Sequence, residues 1–260
     1  MTYSRRAMIE TSLLAIEGAI LSACAEFKTP TSDLKPLLYP TLVAKPAAPT
    51  KAVQVGLSTL YESGGQDALV YVPAGYKAGV AAPMLLMLAS EGTTAQSAVS
   101  IFQPYADAAG LIIVGVEPFG ATWDYLNNGS ENYGPDVAFI SYALTTAFQY
   151  CNIDATRISI GGFSDAAMYA FAMALTNGTL FSKGMIFGAA YTLPCEPVGK
   201  PSFFVANGTN DQVAPPSGGG YLIDDFLANH GYPVDYVVFD GGHEMPPALV
   251  AQAAAWLTAK

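Results

Sequence analysis

Three side chains in this chain have the types and the order needed to turn a hydroxyl into a nucleophile: Ser164, Asp211 and His243. Ser164 sits in Gly162-Phe163-Ser164-Asp165-Ala166, after the apolar run Arg157–Ile160 and before the helix-like run from Asp165 to Leu175. The pentapeptide approximates G-x-S-x-G, the tight strand-to-helix turn that lifts a serine above a sheet, with Ala166 in the last glycine position. Small residues two before and two after the serine are a steric need, because a larger group there would meet the neighbouring backbone. The Asp165 N–H, at the start of a helix, would face negative charge developing on a substrate oxygen. The plain alternative is an ordinary helix cap, for which Ser and Asp are common residues.

A serine hydroxyl needs a base, and the chain has only two histidines. His230, followed by Gly231, reads as a residue at a helix C-terminus. His243 lies in Phe239-Asp240-Gly241-Gly242-His243, past the last apolar strand, where folds with parallel strands carry their chemistry. The base in turn needs an acid to orient it. Asp211 follows another apolar strand in a polar turn, giving the chain order Ser–Asp–His. Asp240 competes but lies at a strand end, and Asp165 reads as a charge at a helix N-terminus. No Cys/His cluster, Gly-rich phosphate loop or dinucleotide motif is present, so neither a metal nor a cofactor is expected.

Strand-like and helix-like runs alternate through the chain, which predicts an α/β fold with a mostly parallel sheet and helices on both faces. The first two strands, around residues 52–60 and 67–73, would form an antiparallel hairpin at the edge. The strands include Pro83–Ala89, Gly110–Glu117, Gly184–Ala190 and Pro201–Gly208. The helices include 95–110, 136–150, 165–175, 221–231 and 246–257. With 260 residues, 52% of them hydrophobic and only 12% charged, the chain can bury a large core. A net charge of −10 excludes a nucleic-acid backbone as partner.

The N-terminus reads as an address. Arg5-Arg6, a modestly apolar stretch interrupted by Glu10 and Glu17, and Leu21-Ser22-Ala23-Cys24 together suggest an export signal over 1–24. The paired arginines resemble a twin-arginine signal and the last four residues a lipobox, so Cys24 is a lipidation candidate and the protein would be periplasmic or lipid-anchored. An amphipathic helix with Ile9, Leu13, Ile16 and Ile20 on one stripe is the alternative, which would leave the protein cytoplasmic. Residues 25–51, rich in Pro and Ala, read as a tether or as an arm on the surface, and 52–260 as the catalytic domain. Of the three cysteines, Cys151 and Cys195 would remain as a pair that an oxidising compartment could join, although their spacing says nothing of their distance.

From about Pro83 to Trp256 the chain resembles small bacterial esterases of the phospholipase/carboxylesterase and polyhydroxybutyrate-depolymerase-like branch of the α/β hydrolases. The resemblance rests on 153–187 around the serine, Asn207–Pro215, Tyr236–Leu257, Gly120–Tyr125 and Tyr133–Leu144. It implies a carboxylic ester hydrolase with the α/β-hydrolase fold, in which Ser164 is nucleophile, His243 base and Asp211 orienter. These relatives usually carry His-Gly after the first core parallel strand, where this chain has Ala89-Ser90. The second oxyanion donor would then be the N–H of Glu91 or of Gly92, beside that of Asp165. "Asn207-Gly208-Thr209" also lacks the histidine usual before Gly-Thr. Trp123 and Tyr125 would wall an apolar cleft or simply pack on the sheet. No insertion long enough for a lid domain occurs, so the expected substrate is a small or lipid-like ester with a short-to-medium acyl chain. The rival reading is a non-catalytic exported binding protein whose oxyanion loop has decayed. The oligomeric state leaves no mark in the sequence.

Overall fold

The computed structural model describes residues 37–62, 66–127 and 132–259. The export segment 1–24, with Cys24, and the first part of the 25–51 segment therefore lie outside the described residues. The strands are β1 (Gly56–Glu62), β2 (Asp67–Val72), β3 (Ala82–Leu88), β4 (Ile112–Val116), β5 (Ile153–Phe163), β6 (Lys183–Phe187), β7 (Ser202–Gly208) and β8 (Val234–Phe239). The helices are α1 (Ala95–Ala109), α2 (Pro135–Tyr150), α3 (Asp165–Thr176), α4 (Tyr221–Asn229) and α5 (Pro247–Thr258). The strands form one 8-stranded sheet in the order β1-β2-β4-β3-β5-β6-β7-β8. From β4 onward along that order all neighbours are parallel, while β2 pairs antiparallel with both β1 and β4.

The central strands are buried on both faces, and β3 shows why its run reads as continuous apolar sequence. Met84, Leu86 and Leu88 enter one core while Leu85 and Met87 enter the other, following the two-residue period of a strand. The first core is closed by α2, α3 and α4, the second by α1 and α5. Helix α1 holds its span despite Pro104 in its interior. The edge hairpin forms, but β1 begins at Gly56 rather than near Ala52. Its partner β2 pairs only as far as Val72, and Pro73 beyond it has no N–H to continue the ladder.

Residues 37–51 lie along α2 as an arm. Leu37 bridges Tyr133, the Val43 N–H donates to Ser141 Oγ, and the Thr50 and Lys51 N–H groups both donate to the Gln149 carbonyl. Buried Asn177, at the end of α3, holds it from the side: its Nδ2 donates to the Pro40 carbonyl and its Oδ1 accepts the Leu42 N–H. Among the described residues no helix is long and apolar enough to cross a membrane.

Candidate active site

Because β3 to β8 run parallel, the loops after them share one edge of the sheet, and the sequence-predicted residues meet there. The Ser164 turn is strained as the pentapeptide implies. Ser164 has φ 59° and ψ −124°, and is the only non-glycine residue with positive φ among those described. A side chain at Gly162 would run into the Ala166 carbonyl and come 2.7 Å from the Ala167 nitrogen, so only glycine fits beneath the turn. Ala166 is itself fully buried, which leaves room for a methyl group and little more. The turn is tied to the next strand by the Ser164 N–H, which donates to the Phe187 carbonyl at 2.9 Å.

His243 Nε2 lies 2.8 Å from Ser164 Oγ, and His243 Nδ1 lies 2.7 Å from Asp211 Oδ2. The other Asp211 oxygen accepts the Val213 and Ala214 N–H groups at 2.8 and 2.7 Å. Burial pushes the Asp211 carboxyl upward, but the Ala214 N–H, His243 and the Val213 N–H together outweigh it and hold the group below its ordinary value. The imidazole is seated against the Phe163 ring, 4.6 Å between centroids. Gly188, with φ 62°, leaves the space next to it: a Cβ there would come within 3.1 Å of His243 Cε1. The competitors stand elsewhere. Asp240 accepts from the Asn210 amide, and exposed His230 closes α4 with its Nδ1 against the Phe226 carbonyl.

On the other side of Ser164 the structure is less expected. The Glu91 N–H, the anticipated second oxyanion donor, donates instead to Asp165 Oδ1 at 2.9 Å. Asp165 Oδ2 accepts the Thr122 hydroxyl at 2.6 Å, so this carboxylate does more than charge a helix end. The Ser90 hydroxyl donates to the Phe163 carbonyl, directly before the nucleophile. The Glu91 side chain is exposed and does not crowd the site.

No family model matches the chain. Feruloyl esterase C of Emericella nidulans is 23% identical over 223 residues, covering 74% of this chain and 81% of that protein. An acetylxylan esterase of Coprinopsis cinerea is 31% identical over 128 residues, 46% of this chain and 34% of that protein. Among solved structures, the substrate-bound fluorophosphonate-binding serine hydrolase F of Staphylococcus aureus superposes with a TM-score of 0.60 at 14% identity, covering 78% of this chain and 98% of its own. The acetyl xylan esterase of Aspergillus awamori gives 0.61 at 13% identity, covering 78% of this chain and 100% of its own. This is the α/β-hydrolase fold. The two sequence relatives are fungal esterases, where the sequence pattern resembles bacterial ones.

Within this hydrolase fold, the loop after β4 corrects one expectation. Trp123 does not wall a cleft: it is fully buried, donates from Nε1 to the Ala89 carbonyl at 3.1 Å, and stacks on Tyr169 at 4.9 Å. An indole whose N–H reaches a backbone acceptor loses nothing by burial, so packing wins over exposure. Tyr125 is half-buried with its ring 4.6 Å from that of Tyr133.

What the sequence reading missed is a carboxylate pair under this loop. Asp136, fully buried, accepts the Phe119 N–H at 2.9 Å and the Asp124 N–H at 2.7 Å. Asp124 accepts the Gly134 N–H at 2.7 Å and the buried Tyr169 hydroxyl at 2.9 Å. Burial, followed by the nearby Asp124 charge, pushes the Asp136 carboxyl up to about 7. Burial also raises Asp124. The only signal in the sequence was the placing of Asp124 and Asp136 inside two of the segments that carry the family resemblance. Cys151 and Cys195 are both free, so they form no disulfide, and burial raises both thiols, to about 12 and about 11. Among the described residues no group of three or more His, Cys, Asp or Glu is placed to hold a metal ion.

Proposed function

We propose that this chain is a serine esterase that cleaves carboxylic esters through an acyl-enzyme. The observation that carries the reading is the continuous hydrogen-bonded path Ser164 Oγ–His243 Nε2 and His243 Nδ1–Asp211 Oδ2 at 2.8 and 2.7 Å. His243 takes the Ser164 proton as Oγ attacks the ester carbonyl, and the tetrahedral oxyanion forms against the Asp165 N–H and an N–H of the Ser90–Glu91 loop. His243 then gives the proton to the departing alcohol. Water, deprotonated by the same imidazole, releases the acid. Asp211 keeps the Nδ1 proton in place and stabilises the imidazolium while it lasts.

By their names the two sequence relatives act on feruloyl esters and on acetylated xylan, and the reading here is a short or aromatic acyl ester. Exposed Tyr191, in the loop after β6, and exposed Val213, two residues from Asp211, offer an apolar rim for it. We take residues 52–260 as the hydrolase unit, and 1–24 as an export segment with Cys24 as its lipid site. A binding protein with a decayed site is not favoured, since drift would not preserve a strained Ser164 together with both of its partners.

The test is turnover of p-nitrophenyl acetate, p-nitrophenyl butyrate and methyl ferulate by the wild type beside Ser164→Ala. Activity lost in the variant supports the reading. Equal rates in both would overturn it.

A further inference from the structure

The two loops flanking Ser164 on its oxyanion side meet at one carboxylate. Asp165 Oδ1 takes the Glu91 N–H from the loop after β3, and Oδ2 takes the Thr122 hydroxyl from the loop after β4. The loop after β3 has a second anchor next to the nucleophile, the Ser90 hydroxyl on the Phe163 carbonyl at 2.8 Å. Trp123, next to Thr122, fastens the same segment from below through the Ala89 carbonyl. Three consecutive residues, Ala89 to Glu91, are therefore each held by a polar contact to a different element.

We infer that the Asp165 side chain is the positioning residue of the oxyanion side, and that it leaves the Ser90 N–H rather than the Glu91 N–H as the second donor. A carboxylate outcompetes a transient substrate oxygen for a resting N–H, because the bond is charge-assisted and always present. The Glu91 N–H is thereby committed. Among the described residues the Ser90 N–H has no hydrogen-bond acceptor, and its own hydroxyl seats it beside Phe163 and Ser164. The residue after the nucleophile then serves twice, its N–H as a donor and its side chain as the brace that aims the other donor.

The inference rests on the esterase reading, and the test separates the two. Asp165→Ala, Asp165→Asn and Thr122→Val are compared with wild type and Ser164→Ala on p-nitrophenyl acetate. Binding of an alkylboronic acid, which forms a tetrahedral adduct on the serine, is measured alongside. In Asp165→Ala, kcat falls about 10- to 100-fold with KM within about threefold, since misplacing an oxyanion donor costs turnover rather than ground-state binding. Boronate affinity falls in parallel. Asp165→Asn regains activity to within about threefold of wild type, because its amide oxygen accepts the Glu91 N–H and its nitrogen donates to Thr122. Thr122→Val loses less than Asp165→Ala.

Amide spectra of the 15N-labelled protein read the same geometry without turnover. Glu91 N–H exchange quickens in Asp165→Ala and not in Asp165→Asn, and boronate binding to wild type shifts and protects the Ser90 amide. Unchanged Glu91 exchange in Asp165→Ala overturns the clamp whatever the activity. A Glu91 amide that responds to boronate in place of Ser90 overturns the choice of donor. A kcat loss without a loss of boronate affinity overturns the positioning role. Absence of any Ser164-dependent turnover in wild type sinks the esterase reading and the positioning role with it, and leaves the exchange result to decide the clamp alone.

Discussion

The two sides of Ser164 are built on different principles. On the base side of the proposed mechanism, His243 and Asp211 act through their side chains, and the sequence must supply those residue types. On the proposed oxyanion side the working groups are backbone N–H groups, and the side chains of Asp165, Thr122, Ser90 and Trp123 make the hydrogen bonds that brace the surrounding loops. Loss of a base-side residue removes a chemical step. Loss of an oxyanion-side residue is expected to shift a donor without removing it. The two kinds of damage should differ in size and in what restores them.

The largest effect is expected at the centre. His243→Ala should lower kcat on p-nitrophenyl acetate by about 10⁴–10⁶, with Ser164→Ala no worse in steady-state assays and the double variant no worse than either, because the pair acts as a unit. Next comes Asp211→Asn, for which a loss of about 10³–10⁴ in kcat is expected. An asparagine would present its amide either to the Val213 and Ala214 N–H groups or to the imidazole, and in the second case it stabilises the wrong tautomer. If its loss were no greater than that of Asp165→Ala, the division between the two sides would fail.

Smaller effects lie in the supports. The Asp136 carboxyl is raised to about 7, so it favours the folded state in its protonated form. Its contribution is fully present below the ordinary carboxylate range and is lost as the pH rises through about 7. Melting temperatures taken from about pH 5 to about pH 8 should therefore decline in wild type relative to Asp136→Asn, whose curve should be flatter. Equal slopes would show that the pair does not titrate in this range. The smallest effect on turnover belongs to Asn177→Ala. It removes bonds to Pro40 and Leu42 far from the serine, and should cost about 1–3 kcal/mol in urea unfolding while leaving kcat intact.

The same division explains what could be read in the sequence. The meeting of Ser164, Asp211 and His243 was legible because nucleophile, acid and base each demand a residue type, and because alternating strands and helices placed all three at one end of a parallel sheet. The core strands were legible for a similar reason, since a strand buried on both faces cannot hide its apolar run. The second oxyanion donor was not, because every residue except proline carries an N–H. The place of Trp123 stayed undecided in the sequence, because an aromatic residue in a loop gives the same signal whether it lines a cleft or fills the space beneath one. The Asp124–Asp136 pair was hidden by composition: two acids in a loop read as solvated until the fold buries them. The start of β1 was lost to its partner, whose ladder is cut by Pro73 and not by anything in residues 52–55.

The arm also has a direction. It begins at Leu37 against Tyr133, in the segment that leads from the loop after β4 into α2, and ends at Lys51 near the far end of that helix. Its first described residue thus stands at the same end of the sheet as Ser164. If the proposed lipid site at Cys24 is used, the tethered chain joins the described fold at the edge of the sheet that carries the reaction centre.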